Sequence, residues 1–143
     1  MRCIKQKTET DCGVACLAMV AGCSYDDAMS TIGFPQNAKV YYMTDKRLEK
    51  ALQQLYPKCR VERKRFSSWA KLRKNNNLIA IVKTKSPRRK DPHWHWVVFD
   101  GEIGEEAILD PKPTKSDRIT DFRGVHGYGR YLIIHLMDDY ACP

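Results

Sequence analysis

The chain has 143 residues, of which 43% are hydrophobic and 29% are charged. This mixture indicates one globular domain over residues 1–143 and excludes a disordered or low-complexity protein. The longest stretch without a charged residue, 12–25, has 14 residues, so we expect no membrane-spanning helix. The net charge is +8, but the basic residues form scattered clusters without interleaved aromatic residues. The densest cluster, 83–90, contains a Ser-Pro pair, which favours a solvated loop over a nucleic-acid site.

The first half of the chain has the pattern of helices. Residues 12–21 are apolar on every side, which predicts a buried helix that ends at Gly22. A short second helix should end at Gly33, and a third should cover residues 45–55 with its leucines on one face. A fourth, short helix is predicted around Trp69. The side chains placed to cap the three later helices at their N-termini are Ser24, Thr44 and either Ser67 or Ser68.

The second half of the chain changes to the pattern of strands, with short runs rich in β-branched and aromatic residues. The four predicted strands are 78–82, 94–99, 106–109 and 131–136. Gly101 and Gly104 lie between the second and third strands, which predicts an antiparallel hairpin there. Helices followed by an antiparallel sheet indicate the α+β fold class.

Six cysteines are present, but no two of them form a Cys-x-x-Cys pair. In a chain long enough to build its own core, we therefore expect reduced thiols and a cytoplasmic protein. The alternative is a lipoprotein signal cleaved before Cys23. Against it, Glu9 and Asp11 directly precede the apolar run, where a signal peptide has only positive charges.

Cys12 stands out because it would occupy the first turn of the buried helix. Backbone N–H groups and the helix dipole stabilise negative charge at that position, and a cysteine nucleophile reacts as the thiolate. Gly13 beside it is expected to leave room for a substrate backbone. A simpler interpretation also fits, in which Cys12 is a small residue buried in the core.

His95 is the candidate base for such a nucleophile. If the hairpin turn is symmetric about residues 102 and 103, His95 faces Asp110 across the hairpin, and Phe99 faces Glu106. An imidazole and a carboxylate at that separation can hydrogen-bond, which fixes the ring tautomer as in a catalytic triad. A slip of one residue would place the two side chains on opposite faces of the sheet.

His93 lies two residues before His95 and so shares its face of the strand. It fits three roles: a residue supporting the base, a rival base, or a polar strand end. With Cys12 and Cys16, the two histidines also suggest a zinc site. Cysteines four residues apart on a buried helix do not have the usual zinc-finger spacing, however. We therefore expect Cys16 to pack in the core, and we expect no metal or other cofactor.

Three segments of the chain resemble the motifs of a known family: QKTETDCGVACLAMVAG, HWVVFDG and ILDP. They are similar to the bacteriocin-processing cysteine peptidases, papain-like domains that cut leader peptides after a double glycine. In that family a glutamine precedes the nucleophile by six residues, as Gln6 precedes Cys12. The base is followed by an aromatic residue and two valines, as His95 is, and the acid by a proline, as Asp110 is. The resemblance extends over about residues 3–137.

The resemblance implies a papain-like fold and a cysteine peptidase acting on a peptide or protein. It also implies that Cys12 is the nucleophile, His95 the base and Asp110 the orienting acid, with Gln6 in the oxyanion hole. The aromatic-Val-Val sequence after His95 favours it over His93. Two alternatives remain: a papain-like deamidase or acyl transferase, and a non-catalytic binding module whose basic surface holds an acidic partner.

Overall fold

The structure is a computed structural model that describes residues 1–85 and 94–136. No helix in this part of the chain is long and apolar enough to cross a membrane. The helices of the described residues are α1 (Cys12–Ala21), α2 (Tyr25–Ile32), α3 (Asp45–Leu55) and α4 (Trp69–Arg73). The strands are β1 (Cys59–Arg65), β2 (Leu78–Lys85), β3 (His95–Gly101), β4 (Ala107–Leu109), β5 (His126–Gly127) and β6 (Arg130–Leu136).

Three helices begin, and two end, at the predicted capping residues. Ser24, Thr44 and Ser68 each accept a hydrogen bond from the backbone N–H of the third residue of their helix. Gly22 and Gly33 end α1 and α2 with φ angles of 70° and 73°, a left-handed conformation that favours glycine. Short-range hydrogen bonds therefore set these boundaries, and the predicted extents of α1 and α3 are confirmed.

The strands form one antiparallel sheet in the order β1-β6-β2-β3-β4, and β5 pairs with the end of β2. One face is covered by α1, α2 and α3, which enclose a core that includes Leu17 and Trp96. The other face is covered by α4 and the loop around Phe122, over a second core that includes Phe99. The predicted α+β fold, with N-terminal helices and an antiparallel sheet, is confirmed.

The edge strand β1 is absent from the prediction, because its sequence, CRVERKR, has no apolar alternation. Only Cys59 of its seven residues is buried. Pairing with β6 defines the strand, and neighbouring side chains compensate its charges. Arg63 lies 3.0 Å from Glu49, and Glu62 lies 2.9 Å from His135. Charged side chains are common on edge strands, where they oppose pairing with another sheet.

The β3–β4 hairpin has a register that differs by two residues from the predicted one, so that prediction was wrong. Phe99 pairs with Ile108, whereas the predicted register opposed it to Glu106. The turn is centred one residue later, because Gly104 adopts the left-handed φ of 79° inside it. An even shift keeps each side chain on its face of the sheet. Asp110 therefore stays on the predicted face, diagonally across from its expected histidine partner.

Candidate active site

Cys12 is the first residue of α1, a helix whose first eight residues are all buried. The residue is 4% exposed. The backbone N–H of Trp96 on β3 donates a hydrogen bond to its sulfur over 3.4 Å. The N-terminus of α1 and this N–H group both place positive partial charge near the sulfur atom, where a negative charge would develop.

His95 begins β3, and its ring lies between two partners. The ring Nε2 is 2.6 Å from Oδ1 of Asp110, and the Cys12 side chain is close enough to favour the protonated ring. Burial disfavours the charged ring and lowers its pKa. The hydrogen bond to Asp110 and the interaction with Cys12 outweigh burial and raise the pKa of His95 to about 9. At neutral pH the protonated ring is therefore the favoured form.

Asp110 directly follows β4 and is 8% exposed. Its Oδ1 accepts a hydrogen bond from the backbone N–H of Lys112 over 2.9 Å, in addition to its contact with His95. Burial raises the pKa of this carboxyl group, but the hydrogen bond and charge of His95 lower the pKa by more than burial raises it. The net pKa lies below the ordinary value, so Asp110 is ionised beside the histidine.

Gln6 lies in the extended N-terminal segment and is 8% exposed. Its backbone N–H donates to the carbonyl of Pro111 over 2.8 Å, which joins this segment to the residue after Asp110. Its side-chain Nε2 donates to the carbonyl of Thr8 over 2.7 Å. Within residues 1–85 and 94–136, its buried Oε1 has no hydrogen-bond partner. The amide group is therefore held from its nitrogen side, and one N–H of that nitrogen is left for another acceptor.

A cleft of about 410 Å³ opens beside these residues. It is lined by side chains that include Gln6, Tyr42, Trp94, His95 and Lys112. The proposed oxyanion donor and base therefore share one solvent-accessible depression. Tyr42 belongs to the stretch between α2 and α3, which has no regular hydrophobic period, and the sequence pattern indicated no site there.

The sequence profile of the Peptidase C39 family matches residues 1–121. This chain belongs to the Peptidase C39 family. It is a cysteine peptidase, and the match includes each of the four predicted site residues. The comparison with curated proteins found no match.

In this C39 peptidase the space beside Gly13 is filled by the protein itself, so the expectation that it admits a substrate was wrong. A Cβ atom at Gly13 would lie 2.8 Å from Cβ of Met43 and 3.2 Å from Cδ1 of Trp96. The indole N–H groups of Trp94 and Trp96 both donate to the Met43 carbonyl, over 3.1 and 2.9 Å. Gly13 thus permits close packing of α1 against the segment that contributes Tyr42 to the cleft.

Lys5 is a structural member of the site that no sequence motif indicated. Its ammonium group donates to the carbonyls of Asp110, Lys112 and Lys115 over 3.0, 3.3 and 2.9 Å. These bonds tie the segment of Gln6 to the loop that follows β4. A lysine in a polar segment has no recognisable spacing, and only the fold brings it to three carbonyl groups.

The zinc alternative included Cys16 and His93. Cys16, on α1, is fully buried in the core, and burial raises the pKa of its thiol well above the ordinary value. His93 lies outside the described residues. Among residues 1–85 and 94–136, no three His, Cys, Asp or Glu side chains lie close enough together to hold a metal ion.

Proposed function

We propose that this cysteine peptidase hydrolyses a peptide bond with Cys12 as nucleophile, His95 as general base and Asp110 as orienting acid. Gln6 donates a hydrogen bond to the oxyanion. The observation that supports the proposal best is the position of the His95 ring, between the Cys12 side chain and a carboxylate oxygen 2.6 Å away. One nitrogen faces the acid, so the other is left for the thiol.

The order of events follows from this arrangement. Because Asp110 accepts from Nε2, the ring holds its proton there and offers Nδ1 to the thiol of Cys12. At neutral pH His95 has already taken the thiol proton onto Nδ1, so the ring is an imidazolium when the sulfur attacks the carbonyl carbon of the scissile bond. The imidazolium that forms is stabilised by the ionised Asp110, as the raised pKa of His95, about 9, indicates.

The remaining steps form the oxyanion and release the two products. The carbonyl oxygen becomes an oxyanion that accepts from Gln6 Nε2 and from the backbone N–H of Cys12. The His95 imidazolium then protonates the leaving amine, which leaves an acyl group on Cys12. A water molecule, deprotonated by His95, attacks the acyl carbon and restores the free thiol.

We propose a peptide or protein substrate with two glycines before the cleaved bond, by extension of the motif resemblance. A peptide library that includes Gly-Gly sequences, incubated with the protein and read by mass spectrometry, tests this directly. Cleavage gives two fragments, whereas a deamidase would add about one mass unit to an intact peptide. Intact peptides of unchanged mass would contradict both activities.

Limited alkylation with iodoacetamide near pH 6 tests the identity of the nucleophile. Burial raises the thiol pKa of four other cysteines, which leaves them largely protonated: Cys3, Cys16, Cys23 and Cys59. We therefore expect Cys12 to be labelled first and activity to fall in parallel. Cys12→Ala should lose all turnover, and the matched variant Cys23→Ala should keep it. Equal labelling of several cysteines would contradict the assignment.

A further inference from the structure

Asp11, the residue before the nucleophile, has a fully buried carboxylate. Its Oδ1 accepts from the backbone N–H and the hydroxyl of Thr8, each over 2.9 Å. Its Oδ2 accepts from the backbone N–H of Lys7 over 3.0 Å and from the hydroxyl of Tyr25. A buried charge is costly unless its oxygens are satisfied, and here four donors satisfy them.

These four contacts are not those of an ordinary helix cap. Asp11 is the residue at the N-terminus of α1, yet its side chain makes no hydrogen bond to the first turn of that helix. An aspartate in this position usually accepts from the second or third N–H group of the helix. The carboxylate instead faces backwards along the chain, toward residues 7 and 8. It therefore orders the loop before the nucleophile and leaves the first N–H groups of α1 uncapped.

The loop between Gln6 and Asp11 has no regular secondary structure, and three of its residues, 7 to 9, are exposed. The Gln6 amide is oriented through its bond to the Thr8 carbonyl, since its Oε1 lacks a partner among the described residues. Thr8 is in turn held by Asp11 through two hydrogen bonds. One continuous path of hydrogen bonds therefore runs from the residue beside Cys12 to the Gln6 amide.

We propose that Asp11 is a positioning residue that holds the Gln6 amide at the oxyanion position through Thr8. This inference rests on the oxyanion role proposed above for Gln6. Tyr25, at the start of α2, fixes the same carboxylate from the other side. Burial and the bond to Asp11 both raise the pKa of Tyr25, so its hydroxyl remains a donor well above neutral pH.

Asp11→Asn is the sharpest perturbation because it preserves the size of the side chain. All four partners of Asp11 donate hydrogen bonds, two to each oxygen. An amide group has only one acceptor oxygen, so its NH₂ group would face a backbone N–H, of Thr8 or of Lys7, that cannot accept, and the loop would be pushed away. Loss of one oxyanion donor typically lowers kcat by about 10²–10³-fold. We expect Asp11→Asn to lower kcat by about 10–100-fold, because it displaces the Gln6 amide without removing it.

The experiment is a double-mutant cycle of Asp11→Asn and Gln6→Ala, assayed on the peptide that the library identifies. If Asp11 acts through Gln6, adding Asp11→Asn to the Gln6→Ala variant should lower kcat by less than about threefold. The rate of Cys12 alkylation by iodoacetamide should stay within about twofold of wild type in all variants, because that reaction forms no oxyanion. KM should also change little, since the lost interaction forms in the transition state.

Thr8→Val keeps the inference testable if Asp11→Asn does not fold. It removes the hydroxyl bond to Asp11 and the longer contacts of that hydroxyl with the backbone N–H and hydroxyl of Thr10, over 3.3 and 3.4 Å. The Thr8 backbone N–H still donates to Asp11, so we expect kcat to fall by about 3–10-fold, again only when Gln6 is present. Thr31→Val, which removes an exposed hydroxyl bond within α2, is the matched control and should leave kcat unchanged.

Three outcomes would overturn the inference. If the fold-reductions in kcat of the two single variants multiply in the double variant, Asp11 acts independently of Gln6. Slower alkylation in Asp11→Asn would mean that Cys12 itself has moved. Unchanged turnover in Gln6→Ala would remove the oxyanion role of Gln6, and the inference with it. That last result is distinguishable because it appears in the single variant, whatever Asp11→Asn does.

Discussion

Replacing Asp110 by asparagine removes the charge of the orienting acid while preserving the acceptor atom that is in use. Two donors, His95 Nε2–H and the Lys112 backbone N–H, meet at the same oxygen, Oδ1, over 2.6 and 2.9 Å. An asparagine that places its carbonyl oxygen there satisfies both. The His95 ring should therefore keep its tautomer and orientation in Asp110→Asn, so the variant isolates the contribution of the negative charge.

The size of the effect follows from the kinds of hydrogen bond exchanged. A hydrogen bond to a charged group contributes about 1.5–3 kcal/mol and a neutral one about 0.5–1.5 kcal/mol. The difference, about 1–1.5 kcal/mol, corresponds to roughly one pKa unit and a tenfold change in rate. We therefore expect Asp110→Asn to lower kcat/KM by about tenfold. The pKa of His95 should fall from about 9 by roughly one unit.

The sign of the pH dependence is fixed by the direction of the shift. The pKa of His95 in the folded protein, about 9, lies above its ordinary value of 6.5. Protonation of His95 therefore stabilises the fold fully below about pH 6.5, and this contribution is lost as pH rises through about 9. In Asp110→Asn the alkaline loss of both activity and this stabilisation should move to lower pH by roughly one unit.

Profiles of kcat/KM from pH 5 to 10, with thermal unfolding at each pH, measure both quantities. Asp110→Ala is the comparison, because it leaves the Lys112 N–H and the ring N–H unpaired in a buried site. We expect Asp110→Ala to lower kcat/KM by about a hundredfold, because an unpaired buried donor costs a further 1–3 kcal/mol or so. His95→Ala should abolish turnover. If Asp110→Asn were as inactive as His95→Ala, the argument that a shared oxygen preserves the ring geometry would be refuted.

Two further predictions concern stability. Gly13→Ala should lower the free energy of unfolding by about 1–3 kcal/mol, because its Cβ would lie 2.8 Å from that of Met43; an unchanged denaturant midpoint would contradict this packing. Arg63→Ala, which removes the ion pair with Glu49 on the edge of the sheet, should cost at most about 1 kcal/mol. That cost should shrink at high salt, whereas a salt-independent loss would indicate a packing role.

Local features of the sequence determined much of the fold. Ser24, Thr44 and Ser68 cap their helices with hydrogen bonds that span three residues. Gly22 ends α1 because its left-handed φ is a property of the residue itself. Such interactions need no distant partner, so a sequence pattern is sufficient to predict them. The buried strands were also predictable, because runs such as LIAIV are too apolar to lie at the surface.

The candidate site was only partly predictable. The spacing of Gln6 before Cys12, and the residues that follow His95 and Asp110, indicated all four positions through their resemblance to a family. The pairing of His95 with Asp110 was expected on a hairpin register that proved two residues out. The two side chains still share a face, because strands alternate with a period of two and an even shift preserves that alternation.

Only the tertiary structure decided how the site is supported. β1 exists because β6 offers it hydrogen bonds, although its own sequence lacks a strand pattern. The space beside Gly13 that was expected to admit a substrate backbone is occupied by Met43, which lies 30 positions along the chain. The Asp11 carboxylate turns away from its own helix toward Thr8 and Tyr25. In each case the interacting partner is distant in the sequence, or is one of several that the sequence allows equally. Packing and the satisfaction of hydrogen bonds across the whole fold select among these partners.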